Sequence, residues 1–256
     1  MPEQISLRQV IIALFHTTSL FAYAWALYIE IFHFAYHYYN FAFKFATVWF
    51  NLFCVVYHLF ASLKAALENG NSSVKIHATL VKLLTILESR MFTCIIFPQA
   101  PLICLAFWGC FLLDPAAAVP LHVQKDKYWI YATHLQHTFI VLTMLFDFLV
   151  KEHEYCSSKL QGIRTMLVFT IGYNILLTIR GIVYNDWTYS FVQQMDGLQI
   201  IAMIIVGNLL LSANYCFGHF LHSIKSQWMK HFVASIPDHN SYCVAKPTQA
   251  QKQKLS

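Results

Sequence analysis

The residues of this sequence best suited to chemistry are a threonine and two histidines inside apolar segments. His134 and His137 are three residues apart, about one helical turn, so both imidazoles lie on one face of a helix. Thr47 lies near the start of an earlier apolar segment, and Asn51 follows one turn later. A threonine hydroxyl becomes a nucleophile when an imidazole about 3 Å away accepts its proton, and ester hydrolysis can then proceed through an acyl-enzyme.

Other roles compete for the same residues. A threonine in a membrane helix commonly bonds its own backbone and a histidine a neighbouring helix, so both could be structural. Six-helix membrane proteins also use histidines to bind haem, for which the candidates are His16, His58, His134, His137, His219 and His222. A non-enzymatic transporter or scaffold is a further alternative, although the sequence has no internal repeat. Zinc, nucleotide-phosphate and Gly-x-Ser-x-Gly motifs are absent. A threonine and a histidine are chemically sufficient for ester hydrolysis, so we expect no metal and no cofactor.

The composition indicates that lipid surrounds these residues. Of the 256 residues, 58% are hydrophobic and only 11% are charged, which lies outside the usual balance of a water-soluble protein. A helix needs about 20 apolar residues to cross a hydrocarbon core of about 30 Å. We predict an all-α polytopic membrane protein with six transmembrane helices: Val10–Ile29, Phe45–Leu63, Met91–Leu113, Trp129–Val150, Thr165–Val183 and Leu198–Leu221.

The basic residues predict the orientation, because they concentrate on the cytoplasmic side of a membrane. Of 17 Lys and Arg, only Lys44, Lys125, Lys127 and Arg180 fall on the opposite side. Both termini are therefore predicted to be cytoplasmic, with a six-helix domain over 1–222 and a polar tail over 223–256. The net charge of +5 is scattered rather than concentrated in a patch, so we expect no nucleic-acid partner. The cell membrane is the favoured location, and the endoplasmic reticulum is the alternative.

This topology brings the candidate residues to similar depths. The second and fourth helices would both run inward, so Thr47 could meet either His134 or His137, and depth alone does not choose between them. Pro98 and Pro101 lie inside the third helix and predict a kink rather than a stop.

Two segments outside the predicted helices carry further expectations. The aromatic residues between Glu30 and Lys44 predict an interfacial belt after the first helix. The sequon at Asn71 falls in a cytoplasmic loop of this topology, so we predict that it is unmodified.

Several short motifs occur in a recognisable order. They are Lys44-Phe45-Ala46-Thr47, Phe97-Pro98, Phe107-Trp108, His134-Leu135-Gln136-His137-Thr138, Gly172-Tyr173 and Trp187-Thr188-Tyr189-Ser190-Phe191. In order and spacing, they resemble the androgen-induced-gene and androgen-dependent tissue factor pathway inhibitor regulator family of membrane proteins. The resemblance covers most of the chain.

This resemblance implies a six-span hydrolase that cleaves fatty acid esters of hydroxy fatty acids in the bilayer. It implies that Thr47 is the nucleophile and His137 the essential histidine. The supporting candidates, including possible oxyanion donors, are Asn51, His134 and Gln136. Phe43, Thr133 and Gln136 stand where the family tends to have Trp, Asn and Met, which bears on substrate choice rather than on the proposed pair.

Overall fold

The computed structural model describes residues 7–39, 41–68 and 75–235, which contain helices and no strand. The Asn71 sequon and the tail beyond residue 235 lie outside these residues. The α-helices are Leu7–Tyr28, Ala46–Glu68, Lys75–Met91, Phe97–Leu113, Pro115–Ala118, Leu121–Gln124, Trp129–His137, Phe139–Val150, Lys159–Tyr184, Ser190–Gln193 and Gly197–Ser235. Ile29–Tyr39 and Phe92–Ile96 are π-helical, and Ala42–Lys44 is a 3-10 turn.

Within the described residues, six helical segments are long and apolar enough to cross a membrane, which confirms the predicted number. They are numbered here as the first to sixth spans: Leu7–Tyr38, Ala46–Glu68, Ile76–Leu113, Trp129–Val150, Lys159–Tyr184 and Gly197–Met229. The fourth has the predicted bounds, whereas the first and third are much longer than predicted. The aromatic segment after the first predicted helix continues that helix as a π-helix to Tyr39, and its position at the membrane interface stays a prediction.

The third span passes its two prolines without a break in the helix. Pro98 lies in the first turn of Phe97–Leu113, directly after the π-helical turn Phe92–Ile96, and Pro101 lies inside the same helix. Proline lacks an N–H and its ring crowds the preceding turn, so a widened turn there accommodates it. The prolines therefore do not stop this span, as predicted, and a π-helical turn precedes them.

The second span is the most enclosed of the six. Of its apolar window 39% is buried, against 11% for the sixth span, and it makes its most extensive contacts with the first span. Phe50, Cys54, Tyr57 and Ala61 recur every three or four residues and are at most 2% exposed. This spacing places them on one helical face, where van der Waals packing holds helices together in lipid. Thr47 therefore lies in the first turn of the most enclosed span.

Residues Met1–His219 group into one compact unit and Phe220–Ser256 into a second. The last helix runs to Ser235, beyond the boundary at residue 222 that the sequence suggested between a membrane domain and a tail. That division of the chain stays a prediction.

The cytoplasmic position of both termini also stays a prediction, and it can be tested with epitope tags. A tag at either terminus should be detected only after intact cells are permeabilised. A matched tag inserted after Ala118, between the third and fourth spans, should be detected without permeabilisation. Detection of either terminal tag on intact cells would contradict the six-span orientation.

Candidate active site

Thr47 and His137 form a hydrogen-bonded pair between the second and fourth spans. The Thr47 Oγ1 lies 3.2 Å from the His137 Nε2. Thr47 is the second residue of the second span, and His137 ends the helix Trp129–His137. The imidazole is buried at 6% exposure, while Thr47 is half-buried. The structure thus brings together the two residues that the family resemblance selected.

The surroundings of His137 determine which ring nitrogen can accept a proton. Its Nδ1 lies 2.9 Å from the backbone oxygen of Thr133, and a carbonyl oxygen can only accept a hydrogen bond. In the neutral imidazole Nδ1 therefore carries the hydrogen, and Nε2 presents its lone pair to the Thr47 hydroxyl. The ring of Phe107 stacks on the imidazole with centroids 3.6 Å apart, which holds it in this plane. Such a neutral, oriented imidazole is the form required of a general base.

The start of the second span is held in place by the fifth span and the segment that follows it. The backbone oxygen of Lys44 accepts hydrogen bonds from the Tyr173 hydroxyl, at 3.1 Å, and the Thr188 hydroxyl, at 2.8 Å. The Lys44 Nζ donates to Asp186 Oδ1 at 2.8 Å, and Arg180 donates to the other oxygen of that carboxylate. These contacts fix the backbone three residues before Thr47.

Asp186 is ionised throughout the neutral range. Partial burial opposes its ionisation, but the hydrogen bonds from Arg180 and Lys44 outweigh that effect and lower the pKa of the carboxyl below its usual value. A carboxylate with a lowered pKa contributes stability above its unfolded-state pKa and loses it only as pH falls through the lowered value. The anchor therefore persists at pH 5 to 8.

If Thr47 is the reacting group, Asp186→Asn should lower kcat/KM for ester hydrolysis roughly 10-fold to 100-fold, because small displacements of a reacting group are costly. The loss should be the same across pH 5 to 8, since Asp186 is ionised throughout. The matched control is Asp196→Asn, because Asp196 exchanges hydrogen bonds with Gln199 near the start of the sixth span and asparagine also caps helices well. Equal activity of the two variants would contradict a positioning role for Asp186.

The three supporting candidates from the sequence have other partners. The Asn51 Nδ2 donates to the backbone oxygen of Tyr23 at 3.3 Å, and the Gln136 Nε2 donates to Glu30 at 3.3 Å. His134 Nδ1 lies 3.1 Å from the Thr138 hydroxyl, which also accepts from the Trp108 indole. No hydrogen bond between these three side chains and the pair is found among the described residues.

A second group of buried polar side chains lies deeper along the same helices. His16 and His58 face each other with their Nδ1 atoms 3.0 Å apart, and Asp147 contacts His16, His153 and the Tyr57 hydroxyl. Asp147 thus belongs to this group rather than to the Thr47 site. The haem hypothesis would pair His58 with His137, but each has a different partner here. Across residues 7–39, 41–68 and 75–235, no group of three His, Cys, Asp or Glu residues is arranged to hold a metal ion.

An apolar cavity of about 630 Å³ lies among four of the spans. Its walls come from the second, third, fifth and sixth spans, together with the segment at residues 189–192. Ala46, which precedes Thr47 in the chain, lines it, as does Ala106, which precedes Phe107. Neither Thr47 nor His137 lines the cavity, which has the size of a small-molecule site.

Six apolar helices and a partly buried hydroxyl–imidazole pair define a polytopic membrane protein with a candidate nucleophilic site. Residues 11–223 match the family described as FAR-17a/AIG1-like protein, and the chain belongs to that family. The match confirms the resemblance inferred from the sequence motifs.

Three curated relatives are each similar to the chain over 145 residues. They are the androgen-dependent TFPI-regulating proteins of Mus musculus, at 27% identity, Mesocricetus auratus, at 26%, and Homo sapiens, at 25%. The similar segment covers 57% of this chain and 62% of each relative, so the match spans about three fifths of the relatives' length. No solved structure matches the chain.

Sequence reasoning missed the residues that hold the pair in place. Tyr173, Thr188 and Phe107 contact Lys44 or His137, but none was predicted to belong to the site. A signal was present, because all three lie in the ordered motifs on which the family resemblance rests. Motifs far apart in the chain are thus assembled around Lys44 and His137.

Proposed function

We propose that this protein is a membrane-embedded ester hydrolase with Thr47 as nucleophile and His137 as general base. The observation that carries the proposal is the 3.2 Å contact between the Thr47 hydroxyl and the Nε2 of an imidazole whose Nδ1 is held by a backbone carbonyl. A hydroxyl, a base and a group that orients the base are the parts that nucleophilic acyl transfer requires.

The proposed reaction has two steps. Thr47 Oγ1 attacks the ester carbonyl as its proton passes to His137 Nε2, and the imidazolium returns that proton to the departing alcohol. Water then attacks the acyl-Thr47 ester with His137 again as base, which releases the fatty acid and regenerates the hydroxyl. The imidazole of His137 accepts and returns one proton in each step, so the reaction needs no metal and no cofactor.

The start of the second span is the proposed source of oxyanion stabilisation. The three side chains suggested by the sequence, Asn51, His134 and Gln136, have other hydrogen-bond partners. Thr47 lies in the first turn of its helix, where leading N–H groups have no carbonyl four residues earlier in the helix. The Val48 N–H in this turn donates to the backbone oxygen of Phe45, so we assign the stabilisation of a developing negative charge close to Thr47 to the positive end of the helix dipole.

The substrate class that we propose is a fatty acid ester of a hydroxy fatty acid. Family membership and the apolar cavity lined by Ala46 support a long-chain ester, and the position of the pair within the spans suits a substrate dissolved in lipid. In the predicted orientation the pair lies in the outer half of the membrane, and the cell membrane is the location that we favour.

Hydrolysis by the purified protein tests this proposal. Wild type in detergent micelles should release fatty acid and hydroxy fatty acid in equal amounts from such an ester. The double variant Thr47→Val, His137→Gln, purified in parallel, measures hydrolysis by contaminating enzymes. Equal release from the two preparations would overturn the proposal; a Soret absorption band would instead support haem binding, and flux into liposomes without turnover would support transport.

A further inference from the structure

Two glycines in the wall of the apolar cavity leave space that a larger side chain would fill. Gly172 on the fifth span and Gly207 on the sixth both line it. A Cβ built at either glycine would meet no atom within 4 Å. Two helices that could approach each other closely at glycine instead leave open space there. The missing side chains therefore contribute directly to the volume of the cavity.

Three polar side chains in the cavity wall, those of Thr170, Tyr173 and Asn208, bond to the protein, and Gln99 and Asn174 also line it. The Asn208 Oδ1 accepts from the Thr170 hydroxyl at 2.8 Å, and its Nδ2 donates to the backbone of Ile204 at 2.8 Å. The Tyr173 hydroxyl donates to the backbone of Lys44. The remaining wall is mostly aliphatic and aromatic, so the cavity suits an alkyl chain better than a polar headgroup.

The cavity wall includes the residues that precede Thr47 and Phe107 in the chain. Ala46 and Ala106 line the cavity from the second and third spans, and Gly207 and Leu211 line it from the sixth span. Val168, another residue of the wall, is 70% exposed, so the wall reaches the surface of the protein there. Neither Thr47 nor His137 lines the cavity, so a chain held in it would reach the Thr47 hydroxyl past Ala46.

We propose that this cavity binds the acyl chain that is transferred to Thr47, and that Gly207 and Gly172 are the residues that admit long chains. The inference rests on the proposed hydrolase function and adds to it a binding site for one half of the ester. It assigns the specificity for acyl length to the fifth and sixth spans, which contribute neither reacting residue.

The test compares two nitrophenyl esters that differ only in their acyl chain, butyryl and palmitoyl. Gly207→Leu and Gly172→Leu should each lower kcat/KM for the palmitoyl ester at least roughly 10-fold, mainly through KM, and change the butyryl value less than about 2-fold. The control is Gly109→Leu, because Gly109 is exposed on the third span, does not line the cavity, and also has open space around a new Cβ. It should leave both esters unchanged.

Equal loss for both esters, or no loss for either, would overturn the assignment of the acyl chain to this cavity. A second measurement separates this inference from the hydrolase proposal. Wild type is irradiated with a palmitate that carries a diazirine near its methyl end, and crosslinks should map to the fifth and sixth spans and decrease in Gly207→Leu. Crosslinking without any ester turnover would contradict the proposed function alone. Turnover with crosslinks elsewhere would contradict the cavity assignment alone.

Discussion

Replacing Thr47 by valine should abolish ester hydrolysis, with a fall in kcat/KM of at least ~1,000-fold. Valine keeps the shape of the side chain but removes the hydroxyl that lies 3.2 Å from His137 Nε2. Because valine is nearly isosteric, the fold should persist, as checked by size-exclusion chromatography and thermal unfolding. The measurement is steady-state hydrolysis of the palmitoyl ester by purified protein.

Two further variants show whether the loss of activity is specific to the hydroxyl of Thr47. Thr47→Ser retains a hydroxyl and should keep activity within roughly 10-fold of wild type, since serine serves the same chemistry. Thr178→Val removes another hydroxyl within a span, but that hydroxyl bonds the backbone of Asn174, which is the common structural role of threonine in membrane helices. Full activity in Thr47→Val, or equal losses in Thr47→Val and Thr178→Val, would contradict a nucleophilic Thr47.

Replacing His137 by glutamine should cause a loss of similar size, at least ~1,000-fold in kcat/KM, because the nucleophile then has no base. The effects of the two substitutions should not add. In the double variant Thr47→Val, His137→Gln the loss should equal that of Thr47→Val alone, since residues that act as one catalytic unit are strongly non-additive.

His134→Gln is the matched comparison for His137, because the spacing of the two histidines does not distinguish them. His134 lies one turn earlier, and its Nδ1 contacts Thr138 rather than Thr47. Its substitution should cost less than about 10-fold, as an indirect effect through the neighbouring turn. A larger loss in His134→Gln than in His137→Gln would reverse the assignment of the base.

Hydrophobicity located the apolar segments and the distribution of basic residues favoured six spans over five, but the ends of most spans were misplaced. The charge-free run of the third span marks its apolar centre, but the helix extends back to residue 76 through a stretch that includes Lys82, Glu88 and Arg90. Some of these charges have partners in the fold, such as Glu88 with Lys64 and Lys151. Hydropathy is calculated residue by residue, so it cannot predict such ion pairs. The first span likewise continues past Glu30, which accepts a hydrogen bond from Gln136.

The site was predictable in its residue types but not in its pairing. Periodicity placed His134 and His137 on one face, and topology placed Thr47 at a similar depth; only the family motif favoured His137. The structure pairs Thr47 with His137 at a point where the fourth span is interrupted at Thr138, between the helices Trp129–His137 and Phe139–Val150. No proline or glycine marks the interruption at Thr138. The sequence alone therefore could not predict which imidazole would face Thr47.

The contacts that hold Lys44, near Thr47, could not be predicted for a different reason. Lys44 and Asp186 are 142 positions apart, and neither belongs to a local pattern that predicts their ion pair. Tyr173 and Thr188 lie in the ordered family motifs, but they bond to a backbone carbonyl, and the motifs do not show which carbonyl they reach. Long-range contacts of this kind depend on how whole helices pack.

The most direct test of the central claim is to locate a covalent adduct on the nucleophile. Purified protein is treated with a fluorophosphonate, which reacts with activated hydroxyl groups, and peptides are sequenced by mass spectrometry. We predict that the adduct lies on Thr47 and that it is absent from both Thr47→Val and His137→Gln. Labelling of Thr47→Val and His137→Gln at the wild-type level, with the adduct on another residue, would contradict the account.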